Sequence, residues 1–203
     1  MRTSLFALVL ALAAPTATWS QTTDTETNTE DTAPATSVED QLSLGEPADE
    51  TPQVGQSYVS EKIGDWDMRC IRTEDESDPC QMYQLMSDDE GTPVAEISIF
   101  RLPEGGRAVA GATIIVPLET SLPQQLTMAV DGGQARRYPY SFCNQIGCYA
   151  RVGLTAEEVD AFKRGNSASL SLVPAVAPDQ QVQLTMSLTG FTASFDKTAI
   201  VQQ

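Results

Sequence analysis

From about Tyr58 onward, short apolar stretches alternate with polar residues, and turn formers separate one stretch from the next. Glu96-Ile97-Ser98-Ile99, Ser169-Leu170-Ser171-Leu172-Val173 and Val182-Gln183-Leu184-Thr185-Met186-Ser187-Leu188 repeat with a period of two. In an extended chain that period sends successive side chains to opposite faces, one toward a core and one toward water. Gly64–Cys70, Cys80–Leu85, Val109–Val116, Gln125–Asp131, Arg136–Phe142 and Cys148–Val152 are further strand candidates. Gly105-Gly106 and Gly132-Gly133 read as hairpin loops, and Pro93, Pro103, Pro117 and Pro174 punctuate strand ends. Many short strands at this spacing predict an all-β fold, an antiparallel β-sandwich or a barrel-like sheet.

One segment breaks the period. Thr155 precedes Ala156-Glu157-Glu158-Val159-Asp160-Ala161-Phe162-Lys163-Arg164-Gly165. Thr155 and Glu158 have the spacing of a capping box, and Leu154 and Val159 that of a hydrophobic staple. Acids open the segment and bases close it, as the helix dipole favours. The pattern predicts one short α-helix covering an open end or edge of the sheet. Val159 and Phe162 face inward, and Gly165 supplies a left-handed C′ residue.

The chain begins differently. Met1-Arg2-Thr3-Ser4 is followed by Leu5 through Ala14, all apolar, and then by small residues around Thr18-Trp19-Ser20. This order predicts a signal peptide over residues 1–20, cleaved near Ser20-Gln21. The apolar run falls short of the roughly 20 residues a membrane-spanning helix needs, and no later stretch of the mature chain reaches that length. Residues 21–57 carry Asp24, Glu26, Glu30, Asp31, Glu39, Asp40, Glu46, Asp49 and Glu50, with neither Lys nor Arg to offset them. A segment so poor in apolar residues cannot offset its ordering entropy, and it reads as a disordered acidic linker. Residues 58–203 form the domain.

The formal net charge of −16 argues against nucleic acid, whose phosphates require clustered Lys and Arg. His is absent, which removes the Ser-His-Asp triad, the Cys-His dyad and His-ligated zinc together. No phosphate loop, dinucleotide fingerprint, nucleophile elbow or metalloprotease motif occurs. The sequence therefore indicates no catalytic residue, no metal and no cofactor, and it reads as a non-enzymatic protein. Carboxylate chemistry, as in a cell-wall sugar hydrolase or transferase, is the enzymatic alternative.

Cys70, Cys80, Cys143 and Cys148 allow three pairings. Export favours disulfides, and the sequential pairing Cys70–Cys80 with Cys143–Cys148 is preferred because each bridge closes a short loop. A Cys₄ zinc site lacks its close first pair, and a redox pair lacks C-x₂-C. Glu74-Asp75-Glu76-Ser77-Asp78 invites a calcium-dependent adhesion module but lacks the EF-hand order, so a solvated charge run projecting from the first loop is expected. Ser87 through Gly91 reads as a hairpin turn of similar character. Arg136, Arg137, Tyr138 and Tyr140 join bases to aromatics, the composition of a binding surface, and Arg101, Arg107 and Arg151 are candidates to extend it. The competing account is an edge strand whose charges discourage pairing.

Several separated blocks resemble the invasion-associated locus B family of bacterial envelope proteins. They are Gly64-Asp65-Trp66 with Arg69-Cys70, Cys80-Gln81-Met82, Ile115 through Leu118, and Ala129 through Gly132. Pro139 through Cys143, Gly147 through Ala150, and Ser187 through Ala193 continue the order. The resemblance covers about residues 58–197. It implies a β-sandwich that is periplasmic, outer-membrane-associated or secreted, linked to host-cell invasion or envelope maintenance, with no catalytic residues to carry over. The expected partner is an envelope or host-surface protein, with peripheral rather than transmembrane association.

Overall fold

The computed structural model describes residues 42–43, 51–88 and 90–201. The proposed signal peptide and most of the acidic linker lie outside the described residues. The strands are β1 (Ser57–Ile63), β2 (Trp66–Ile71), β3 (Cys80–Ser87), β4 (Pro93–Arg101), β5 (Ala110–Val116) and β6 (Leu126–Val130). They continue with β7 (Arg136–Tyr138), β8 (Tyr140–Cys143), β9 (Cys148–Leu154), β10 (Ser167–Leu172) and β11 (Val182–Ser187). Two helices, α1 (Ala156–Arg164) and α2 (Phe191–Lys197), complete the fold.

The strands form two antiparallel sheets. One has seven strands in the order β1-β2-β3-β4-β5-β9-β8, and the other has four in the order β11-β10-β6-β7. The sheets form a sandwich and close no barrel. Period-two alternation decides which side chains lie between them. From the larger sheet Met82, Met86, Ile97, Ile99, Ile114 and Ala150 point inward. Leu126, Met128, Leu170, Leu184 and Met186 answer from the smaller one. Each such Met, Ile or Leu side chain, once fully buried, contributes roughly 1.5–3 kcal/mol.

Trp66 is completely buried and meets Phe191 of α2 edge to face, with ring centroids 5.7 Å apart. That contact requires the β1–β2 turn to lie against the β11–α2 turn. Gly64 and Gly190 both have positive φ, and a Cβ on either would run into the other turn's backbone carbonyl. Beside them the buried Gln84 joins the sheets. Its amide donates to the Asp65 and Ser187 carbonyls at 3.2 and 3.1 Å, and its oxygen accepts the Ser187 N–H at 2.7 Å. All its polar capacity toward the core is thus used, as burial demands.

The bridges are Cys70–Cys80 and Cys143–Cys148. Each joins residues directly opposite one another in neighbouring antiparallel strands, β2 with β3 and β8 with β9. The flanking hydrogen bonds run from Ile71 N to Pro79 O and from Asn144 N to Gly147 O. Both cysteine pairs therefore occupy the closely spaced, non-hydrogen-bonded positions of their ladders, with Cα atoms 4.0 Å apart.

Four sequence expectations need correction. Arg136–Phe142 is not one strand: Pro139 lacks the N–H to continue a ladder, so β7 ends in the four-stranded sheet and β8 begins in the seven-stranded one. There are two helices rather than one. The second begins at Gly190, which offers no side chain for a cap, so no capping signal marks it. Gly165 is extended, with φ −77° and ψ 167°, because the chain runs straight from α1 into β10 without a left-handed reversal. The segment assigned to the linker through residue 57 includes Ser57, which already pairs with Ile71.

Candidate functional site

The Arg-Tyr segment lies where the two sheets meet. α1 starts with both halves of its capping box formed: Thr155 Oγ1 accepts the Glu158 N–H at 3.3 Å, and Glu158 Oε2 accepts the Thr155 N–H at 2.8 Å. The other Glu158 oxygen accepts the Tyr138 hydroxyl at 2.9 Å and lies 3.1 Å from Arg136 Nε. One carboxylate thus caps the helix and ties it to edge strand β7. Burial first, and then the bond to Glu158, push the Tyr138 phenol well above its ordinary value. Tyr140 is pushed up to about 12 by burial, and its hydroxyl has no hydrogen-bond partner among the described residues. Arg137 is exposed and makes no ion pair among the described residues.

Arg136, Tyr138 and Glu158 border a groove of about 250 Å³ floored by Met128, Val130 and Phe162. Glu157 also lines it, so two carboxylates face one cleft as the enzymatic alternative requires. Glu158, however, already accepts from Thr155, Arg136 and Tyr138, and these contacts tie its carboxylate to the helix cap and to β7.

The acidic loop divides. Glu74, Asp75 and Glu76 are exposed, as expected of a loop projecting into solvent, but Asp78 turns back. It accepts from the Tyr58 hydroxyl at 2.5 Å and the Thr73 N–H at 2.8 Å, and pairs with Arg72 at 2.9 Å. The Tyr58 bond, followed by that from Thr73, holds the Asp78 carboxyl below its usual range. Among the described residues no group of three or more Cys, Asp or Glu is arranged to hold a metal.

The outer face of the seven-stranded sheet was not anticipated as a site. Strand register builds rows across it. Leu85, Glu96, Ile115, Tyr149 and Phe142 form one, and Asp67, Tyr83, Ser98, Thr113 and Arg151 form the next. The Arg69 guanidinium lies over the Tyr83 ring, 3.1 Å from its centroid, and the Tyr83 hydroxyl donates to Glu96 at 2.7 Å. Phe142 stacks on Tyr149 at 4.6 Å with Arg151 above it at 5.3 Å.

The proposed extension of the Arg-Tyr patch does not form as one surface. Arg151 belongs to this outer face, while Arg136 lines the α1 groove. Arg101 donates to the Thr198 carbonyl at 2.6 and 3.0 Å, and Arg107 is exposed in the β4–β5 loop. The outer surface escaped sequence reading because it is assembled from six strands. Its only local signal was the outward phase of Arg69, Tyr83 and Arg151 between buried neighbours.

The Gly64-Asp65-Trp66 and Ser187–Ala193 blocks, distant in sequence, meet at the turn junction described above. The family model for the invasion associated locus B (IalB) protein matches residues 66–199. This chain belongs to the IalB family. Invasion protein B homologs of Brucella abortus strain 2308 and of its biovar 1 strain 9-941 are each 26% identical over 143 residues. Those alignments cover 70% of this chain and 80% of the relatives. A crystal structure of invasion associated protein B from Bartonella henselae superposes with a TM-score of 0.57 at 21% identity. It covers 68% of this chain and 93% of that one, and so has the same fold. The IalB family is named for invasion and is not an enzyme family. No helix among the described residues is long and apolar enough to cross a membrane.

Proposed function

We propose that this IalB-family chain is an exported, non-enzymatic binding module of the cell envelope, acting in invasion-related contact with an envelope or host-surface protein. The observation that carries the reading is the outer face of the seven-stranded sheet. Arg69, Tyr83, Phe100, Phe142, Tyr149 and Arg151 stand there together, with Phe142 and Arg151 exposed, Arg69, Phe100 and Tyr149 half-buried, and Tyr83 buried beneath the Arg69 guanidinium. Aromatic residues and Arg dominate the energetics of protein contacts, because they combine large buried area with directional polar groups. The signal-like first twenty residues and the two disulfides support export to a periplasmic, outer-membrane or secreted location.

The test is photocrosslinking in living cells from position 142 or 151, with position 137 as comparison. The outer face predicts defined adducts from 142 and 151. Adducts from 137 alone would move the contact to the Arg-Tyr strand. Fractionation and N-terminal sequencing check export, which predicts a mature chain starting near Gln21. An intact chain in the cytosol would overturn that part.

A further inference from the structure

Two shallow grooves on the outer face share Phe100 and Val201. One, of about 260 Å³, is bordered by Ser57, Arg69, Ile71 and Gln81. The other, of about 440 Å³, is bordered by Gly111, Thr113, Arg151 and Gly153. They run together across the sheet from β2 to β9. Neither is lined by any Asp or Glu, in a chain that carries 28 of them against 12 Lys and Arg. The α1 groove, by contrast, includes Glu157 and Glu158, and the groove beside Leu85 and Ile146 includes Glu96.

An Arg stands toward each end of this track, and neither is held in an ion pair among the described residues: Arg69 rests on Tyr83 and Arg151 on Phe142. Between them the walls are apolar or neutral. Gly111 and Gly153 lie directly opposite each other, and the absence of a side chain at Gly111 lets the Phe100 ring lie over it as the floor of the track. The C-terminal segment forms a rim, its Val201 N–H donating to the Arg101 carbonyl at 3.0 Å.

We infer that this track binds an extended peptide segment of a partner protein, with two acidic side chains flanking a short apolar stretch. The charge pattern selects anions: two guanidiniums outside any ion pair among the described residues, bordering grooves that no described Asp or Glu lines, attract carboxylates that the rest of this acidic surface repels. The spacing selects a peptide over a single-headed lipid. Four strand intervals separate β2 from β9, roughly 19 Å at about 4.8 Å each, which an extended peptide covers in about six residues. A fatty acid has one carboxylate and would leave the far Arg unmatched. The inference deepens the binding role proposed above and rests on the same face. Crosslinking tests the face in cells and the experiment below tests the groove's chemistry, so either can fail without the other.

The full chain, immobilised, is used to select from a library of random decapeptides. The expected winners carry two Asp or Glu five or six positions apart around apolar residues. Added to labelled protein, they should shift the amide resonances of Phe100, Gly111, Gly153 and Val201. Arg69→Gln and Arg151→Gln should each weaken binding about fivefold, and higher salt should weaken it further. Cooperative melting within about 5 °C of the unsubstituted chain would show that both variants fold, and Arg→Lys at either position should recover part of the affinity.

The inference is overturned if the doubly substituted chain selects the same peptides, if the winners lack paired acids, or if the shifts fall at the α1 groove. Tighter binding of dodecanoate at the same resonances would reassign the track to a lipid. Self-association blocked by the Arg substitutions would reassign it to a second copy.

Discussion

Two Arg-Tyr surfaces occupy this domain and use the same residue types in opposite ways. At the α1 corner Arg136 and Tyr138 turn to Glu158, and the charge is spent within the molecule. On the outer sheet face Arg69 and Arg151 rest on aromatic rings, and neither forms an ion pair among the described residues. The first surface is contiguous in sequence and works as a structural clamp. The second is scattered through the sequence and is left open for contact. Proximity along the chain therefore identifies the residues that hold the fold, and register across strands assembles those available to a partner.

The sharpest way to break this comparison is Glu158→Ala. It removes a helix cap, an ion pair and the Tyr138 acceptor together. The expected loss is about 3 kcal/mol in denaturant unfolding, with peptide binding at the outer face retained. A loss below 1 kcal/mol would mean that the corner is no clamp.

Replacing Cys143 and Cys148 with Ser should cost about 2 kcal/mol by the loop-entropy relation, read as a lower Tm. The effect should reach the outer face, because the bridge holds β8 and its Phe142 against β9.

Tyr138→Phe should cost about 1 kcal/mol, the worth of one hydrogen bond. It also has a signature in pH. The folded-state values of Tyr138 and Tyr140 are raised, so their contribution to stability is complete below pH 10. That contribution is lost as pH climbs from 10, where the unfolded chain ionises first, through the folded values. Phenolate absorbance should show late-titrating tyrosines, and the Y138F/Y140F double variant should flatten the alkaline fall in stability.

Arg69→Gln and Arg151→Gln complete the series with the smallest effect on the fold, about 0.5 kcal/mol for Arg151 over the exposed Phe142 ring and up to about 1 kcal/mol for Arg69 over the buried Tyr83 ring. A stability loss approaching that of Glu158→Ala would erase the distinction between the two surfaces.

Much of the fold was legible in the sequence because it depends on local chemistry. The alternation at Ile97 and Ile99 gave β4, and the Thr155–Glu158 spacing gave α1 with its capping box. The β1 strand had no clear signal: Ser57–Ile63 is an exposed edge carrying Glu61 and Lys62, with little apolar phase to read. The Arg136–Phe142 run hid a sheet change because Pro139 was counted within a strand. The candidate site was less legible. The outward phase of Arg69 follows from buried Met68 and Cys70 beside it. Its place beside Tyr83, on the same face as Arg151, follows only from how five strands align.

The cross-strand bridges also act as a proofreading step. Slipping β2 against β3 by one residue would put Cys70 and Cys80 on opposite faces of the sheet, and the same holds for Cys143 and Cys148. Oxidation can therefore seal only the alignment that also sends Arg69, Tyr83, Phe142 and Arg151 outward together. A misaligned chain keeps its thiols and remains correctable, whereas a correctly aligned one is locked with its contact face already displayed.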